Sequence, residues 1–423
     1  MVGELREPIS GRFPPYTAFH PAVPVWCITP GEGGIIHRFF DTSPVSPSGR
    51  YVALTRLPYE DRPPAPGDEA EVVMVDLIEG DERALARTRG WDTQLGAQVQ
   101  WGASDRELLF NDVDARTWRP FGVRLDPQTG RSQRLDGTIY MVSPDGTASV
   151  SPCLRRIGRA QLGYGMILPP ERVPTNRGAP DDDGIYLTDL RSGQCRLLVS
   201  IAEVLATAQP PVDVDEYAGG GVYGFHVKYS PDGARLMFVL RWLGRGAAGR
   251  AIEKTNLLTL RADGTDVRLA LPASAWARGG HHPNWMPDGE SILMNLRMED
   301  GAIRFVRIGC DGGGVEPLSE TIVGSGHPTI APDGRHILTD VYSFGELAYG
   351  DGTTPLRWID PAAGFERAIV RIGTTPAYMG EQRRYRVDPH PAWDRSGRLV
   401  VFNACPDGTR RVYLADMSGL MRT

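Results

Sequence analysis

Short apolar runs, each closed by a polar turn, fill this chain from end to end, and no stretch carries the spacing of a long amphipathic helix. One turn recurs: Ser46-Pro47-Ser48-Gly49, Ser143-Pro144-Asp145-Gly146, Ser230-Pro231-Asp232-Gly233, Met286-Pro287-Asp288-Gly289 and Ala331-Pro332-Asp333-Gly334. Gly102-Ala103-Ser104-Asp105 and Asp394-Arg395-Ser396-Gly397 are degenerate copies. Proline presets the first turn dihedral, Asp bonds its own backbone and Gly takes a positive φ. After each copy comes an apolar strand, such as YVALTRL, RLMFVLR or RLVVFNA. A third strand often ends in Asp, as in VVMVDL, IYLTDL and VYLAD.

Repetition of strand, tight turn, strand, strand predicts an all-β chain, a seven-bladed β-propeller. Uneven spacing leaves six or eight blades as alternative counts. The last copy has about three strands, and VPVWCIT at 24–30 reads as the strand that closes the ring and removes a free sheet edge. The whole chain, 1–423, is then one propeller domain. Its blades fall near 41–96, 97–137, 138–201, 222–272, 279–319, 325–373 and 386–420, the last completed by strand 24–30.

A histidine register runs through this repeat. Five residues before the turn proline lie His226, His282 and His327, and the same step back from Arg395 reaches His390. The other copies place Thr42, Gln98 and Ile139 there. The chain has only eight histidines, so four at one position of consecutive blades is a pattern. The first strand of each propeller blade lines the axis, so these imidazoles are expected at similar heights around the channel. Such a group suits Zn²⁺, Mn²⁺ or a similar divalent ion, and a divalent metal, Zn²⁺, Mn²⁺ or Ca²⁺, is the expected cofactor. Asp388, two residues before His390, is expected to point the same way and to add a carboxylate. His281 is expected to face away from His282. The alternative is that the histidines bond channel water or an anionic substrate directly. His20, His37 and His336 fall off the register.

Composition narrows the partners. Net charge is −6, which argues against nucleic acid and anionic membranes. Lysine is limited to Lys228 and Lys254, so an anionic ligand must be met by arginine. The five cysteines form no CxxC pair, so neither a disulfide framework nor a thiolate zinc site is expected. No leader-like or membrane-length apolar run stands out, and a cytoplasmic protein, monomer or homodimer, is the expectation. No GxSxG elbow or phosphate-binding loop is present.

Loops following the second strand of each repeat should lie on the histidine face, and those at 56–70, 111–120, 154–184, 241–255 and 342–355 read as long. The 154–184 loop holds Arg155, Arg156, Arg159, Arg172 and Arg177, and Tyr164 sits between two glycines that should leave its phenol accessible. Trp118, Arg119, Arg241 and Trp242 add aromatic and guanidinium surface. Arginine binds carboxylates in bidentate fashion and aromatic rings cover a pyranose face, so this face suits sugar uronates. The acidic run Asp181-Asp182-Asp183-Gly184 reads as a solvated loop rather than a Ca²⁺ site.

Taken together, HRFFDTSPVSPSGRY, GAQVQWG, FNDVDARTWRPFGVRLD, GYG, FHVKYSPDG, HHPNWMPDG and RVDPHPAW resemble the seven-bladed propeller polysaccharide lyases: oligogalacturonate, ulvan and rhamnosyl-glucuronate lyases. The resemblance runs from about residue 37 to the end. It implies β-elimination at a uronic acid of an anionic oligosaccharide or polysaccharide, cleaving the bond at C4 and giving an unsaturated uronate. By this resemblance Tyr164 matches a catalytic tyrosine, Arg177 a carboxylate-neutralising arginine, and His327 and His390 metal-site histidines, with His282 near a catalytic histidine. Gln98 and Arg119 stand where the ulvan and rhamnosyl-glucuronate enzymes are expected to have histidines, and Asp388-Pro389-His390 where oligogalacturonate lyases have an H-x-H pair. The base is then a ring histidine free of metal, such as His226, or Tyr164 itself, with Gln98, Trp118, Arg119 and Arg241 binding substrate. A propeller that binds carbohydrate or protein without catalysis is the alternative.

Overall fold

The computed structural model describes residues 9–213, 217, 219–245 and 251–421. Seven four-stranded antiparallel sheets form a seven-bladed β-propeller. Within the sixth blade the strands run Thr329–Ile330, Ile337–Thr339, Thr353–Asp360 and Phe365–Gly373, in chain order from the inner edge outward. The seventh blade takes three strands from the end of the described chain, Ala392–Trp393, Leu399–Ala404 and Arg411–Asp416, and its fourth from the start, Val25–Cys27. That strand pairs Val25 with Ala415 and Cys27 with Tyr413, so the expected closure by the N-terminal strand is present.

The recurring turn folds for the reason its residues suggest. In Ser230-Pro231-Asp232-Gly233 the amide of Gly233 donates to the Ser230 carbonyl at 2.9 Å. Ser230 Oγ and the Ala234 amide both donate to Asp232 Oδ1, at 2.6 and 3.0 Å, and Gly233 takes φ +74°. The degenerate copy keeps this logic with its carboxylate moved: Asp394 accepts from the amides of Ser396, Arg398 and Leu399.

The chain divides into two compact units, residues 1–113, 123–132 and 325–423 in one, 114–122 and 133–324 in the other. In the first, Val52, Leu54, Val73 and Val75 pack against Leu399, Val401, Val412 and Leu414. A second cluster joins Leu338, Leu356 and Ile372 to Val400, Phe402 and Tyr413. These alternate strand positions fill the space between neighbouring blades, which is why each second strand of the repeat reads as continuously apolar. In the second unit the strands Arg235–Arg245 and Ala251–Arg261 pair along their full length. The stretch 241–255 is therefore largely an extended hairpin rather than a loop, with 246–250 outside the described residues. At 111–120 the chain makes a tight turn, Trp118 N to Asp114 O at 2.7 Å and Asp114 N to Arg119 O at 3.0 Å.

Arg410 is among the largest fully buried side chains. Its backbone amide and Nη1 donate to Glu60 Oε1 at 3.1 and 2.8 Å, and Nη2 donates to the Tyr385 carbonyl. It thus ties the 60 loop to the segment that leads into Asp388. Arg410→Met removes the cation and strands Glu60, which should lower stability by about 3 kcal/mol or more. Urea denaturation checks this; an unchanged midpoint would mean that the pair holds nothing together.

Candidate metal centre and active site

The histidine register coincides with a break in the inner strands. Pairing slips between Gly224 and Val227 and between His281 and Asn284. His282, His390 and Gln98 have φ of +58°, +50° and +59°, and Gly326, before His327, has +55°. Left-handed backbone at a non-glycine residue is uncommon and gathers at functional positions. It also undoes the alternation assumed for the fifth blade: His281 and His282 do not face apart, their Nδ1 atoms lying 3.0 Å from each other.

In the first unit His327, Asp388 and His390 converge, with one potential ligand atom from each within 4.8 Å of the others. All three are buried. His390 precedes the strand Ala392–Trp393 and reaches Asp388 through its left-handed turn, Nε2 to Oδ2 3.9 Å. Asp388 Oδ2 also accepts from Arg386 Nε at 2.8 Å. Neither ring nitrogen of His390 has a hydrogen-bond partner among the described residues, a costly state for a buried imidazole. Two imidazoles and one carboxylate are a donor set that suits a divalent transition ion, and a bound ion would satisfy that orphaned ring. The residues present therefore fit a metal.

Asp340, which the sequence did not mark, organises the group. Its carboxylate oxygens each lie 3.0 Å from His327 Nδ1. Oδ1 accepts from the His327 amide at 2.7 Å and Oδ2 from the His390 amide at 2.9 Å. A carboxylate on one imidazole nitrogen directs the other, here Nε2, toward a metal. Burial works to raise the Asp340 pKa, but His327 and the two amides outweigh it and hold the carboxyl below its usual range. Phe39 and Phe40 wall the group, with ring centroids 4.7 Å from His390 and 5.1 Å from His327 respectively.

His37, off the register, belongs here too. Its ring lies edge-on to His390 at 6.4 Å, and its Nε2 is 3.3 Å from the Pro389 carbonyl. Burial lowers its pKa to about 4. Burial, then His327, His37, Arg386 and Arg38, hold His390 well below 6.5. Because the folded pKa lies below the unfolded one, the unfolded chain takes up the proton first as pH falls. Stability should therefore drop as pH falls from 6.5 toward about 4, and His37→Gln, which keeps a donor for Pro389, should drop less steeply. Urea midpoints across that window read the difference; parallel curves would deny His37 the role.

Gln98 lies in this unit, buried, with Oε1 accepting from Arg38 Nε at 3.0 Å and Nε2 without a hydrogen-bond partner among the described residues. Arg38 is itself buried against Asp41, 2.7 Å away.

The second unit holds another constellation. Tyr164 packs edge-on against Phe225 at 5.3 Å and His226 at 6.2 Å, and the Tyr140 hydroxyl meets His226 Nδ1. Arg241 covers Phe225 at 4.0 Å and donates from Nη1 to Gln161 Oε1 at 2.7 Å. Tyr164 is only 4% exposed, so its glycines do not serve accessibility. Gly165 instead allows close packing, since a Cβ there would meet Ile157 Cγ2 at 2.3 Å, in a φ of +84°.

The loop arginines serve mainly as staples: Arg155 and Arg159 bond the carbonyls of Arg172 and Val173, and Arg156 pairs with Asp182 at 2.8 Å. Asp183 is buried and accepts from Asn176 Nδ2 at 2.7 Å, so the acidic run is an internal anchor at this residue. Arg177 is exposed and lines a groove of about 630 Å³ with Gly219, Gly220, Tyr223 and Arg245. Arg119 is exposed and Trp118 half-buried. Trp242 is buried, its Nε1 donating to the Tyr217 carbonyl at 2.7 Å. His226 and His282 thus take Tyr140 and His281 as neighbours, while the metal-like group draws on His327, Asp388 and His390. No helix is long and apolar enough to cross a membrane among the described residues.

No family model matches the chain. No curated protein matches it in sequence. Among solved structures, an oligogalacturonate lyase in complex with manganese superposes with a TM-score of 0.64 at 14% identity, over 97% of each chain. An oligogalacturonate lyase from Vibrio parahaemolyticus superposes with a TM-score of 0.63 at 14% identity, over 96% of each chain. Along nearly its whole length, this chain is similar in fold to oligogalacturonate lyases.

Proposed function

We propose that the protein is a metal-assisted lyase that cleaves the bond at C4 of a uronic acid by β-elimination. The observation that carries the reading is the buried His327–Asp388–His390 group, braced by Asp340 and holding an imidazole neither of whose nitrogens has a hydrogen-bond partner among the described residues. Fold similarity to oligogalacturonate lyases, one of them a manganese complex, supports it.

The C5 proton of a uronate is too weakly acidic to leave unless the charge developing on the carboxylate is neutralised. A divalent ion held by His327, Asp388 and His390 would supply that neutralisation as a Lewis acid. The phenylalanines around the group exclude water, which strengthens any charge interaction made there. Gln98 offers its buried Nε2 as a donor to a sugar oxygen but cannot take a proton. Tyr164 and His226, titratable side chains in ring contact, are the second unit's own candidates for proton transfer. Tyr140 meets His226 at Nδ1, so its Nε2 is the atom assigned to proton exchange, with the Tyr164 phenol as the acid. Arg177 and Arg119 offer exposed guanidinium groups to further carboxylates.

The test is ultraviolet absorbance of the unsaturated product on galacturonate and glucuronate oligomers, with added Mn²⁺ or Zn²⁺ and with chelator. Product that disappears with chelator supports the reading. No product from any uronate with any metal sinks it. A second reading, a sugar-binding propeller without turnover, is favoured by the burial of Tyr164. It predicts uronate binding with no product.

A further inference from the structure

An aromatic and cationic ridge leads outward from the metal-like group. Tyr342 lies with its ring centroid 5.8 Å from that of His327. On its other side it stacks nearly parallel on Phe344, at 5.1 Å and 13°. Phe344 is 48% exposed. The Arg383 guanidinium covers the Phe344 ring at 4.4 Å, and that of Arg386 stands 6.0 Å from the Tyr342 ring while its Nε holds Asp388. Arg383 and its neighbour Gln382 have φ of +55° and +53°, a left-handed pair in the short turn Glu381–Arg383 that costs backbone energy and sets where the guanidinium points. Packing of the core requires none of this, because Phe344 and Arg383 lie at the surface.

We propose that Tyr342, Phe344 and Arg383 form a subsite that seats a second uronate residue of the substrate, adjoining the one engaged at His327, Asp388 and His390. The inference rests on the lyase reading above. Three features argue for a sugar acid as the occupant. The ridge is continuous with the metal-like group through Tyr342. The accessible edge of the Phe344 ring offers apolar contact to the hydrophobic side of a pyranose. A guanidinium fixed beside that ring provides paired donors for a carboxylate. A purely apolar partner would leave Arg383 idle, and a free anion would leave Phe344 idle.

The experiment compares saturated uronate oligomers of increasing length, by calorimetric binding and by formation of unsaturated product, in the wild type, Phe344→Ala and Arg383→Ala. Each variant should weaken binding of the dimer and longer oligomers about tenfold, the loss of one charge-assisted or stacking contact, and leave the single uronate unaffected. Phe344→Trp should restore the long-oligomer affinity. Equal losses at every length, or none, overturn the subsite while leaving the lyase reading in place, since product would still form. Absence of binding and of product at every length in the wild type overturns both.

Discussion

Asp340→Ala should weaken Mn²⁺ binding at the His327–Asp388–His390 group by about 10–100-fold. The carboxylate touches no metal ligand atom directly, yet it accepts from the amides of His327 and His390 and sits on His327 Nδ1. Without it the His327 ring loses the partner that fixes its orientation and tautomer, and two buried amides lose their acceptor. Removing such an outer partner lowers metal affinity by about 10–100-fold. Orphaning the amides should lower stability by about 3 kcal/mol as well. Asp340→Asn separates these effects. It keeps the volume and an acceptor for His327, but turns one oxygen into a donor that faces a backbone N–H, at either His327 or His390. It should therefore fold, bind Mn²⁺ at least tenfold more weakly and show a smaller loss of stability than the alanine variant. Calorimetric titration with Mn²⁺, alongside urea denaturation in chelator, reads both quantities. Wild-type affinity in a folded Asp340→Asn would show that the carboxylate serves the backbone alone.

Why Asp340 escaped the sequence is a question of geometry. The propeller and its closure were legible because turn chemistry and strand alternation are local: Asp232 and Gly233 do in the structure what their types require in isolation. The register of the histidines was legible for the same reason, being a count from that turn. What each imidazole meets was not. Asp340 directly follows the second strand of its own blade and His37 the inner strand, Ile35–Ile36, of the chain's first blade, and closure of the ring through Val25–Cys27 brings His37 to Pro389. The left-handed residues at the register position were also invisible, since Gln98, His282 and His390 share no local motif that demands positive φ. With that twist His281 and His282 share a contact, so the rule of alternation that served the blades failed there, whereas Asp388 does lie beside His390 as the rule expected. Side-chain burial was the remaining gap. Glycines on both sides of Tyr164 suggested access, whereas the turn they make presses the ring onto Phe225.

That burial makes Tyr164→Phe the most informative single substitution in the second unit. Phenylalanine keeps the ring that packs on Phe225 and His226 and removes only the hydroxyl, so fold and substrate affinity should survive. If the phenol delivers the leaving-group proton, turnover should fall by about 10²–10⁴-fold with KM nearly unchanged, the signature of a group that acts in the transition state alone. His226→Gln should produce a loss of similar order, because Tyr140 would still find a polar partner while proton exchange is lost. The two losses should not add, since both residues serve one transfer. Initial rates of product formation, with binding measured separately, decide the matter. Full activity in Tyr164→Phe would remove the phenol from the mechanism and leave His226 as the candidate. Unchanged binding with no product in either variant or in the wild type would instead identify a uronate receptor built on a lyase scaffold, its tyrosine no more than a buried strut beneath Phe225.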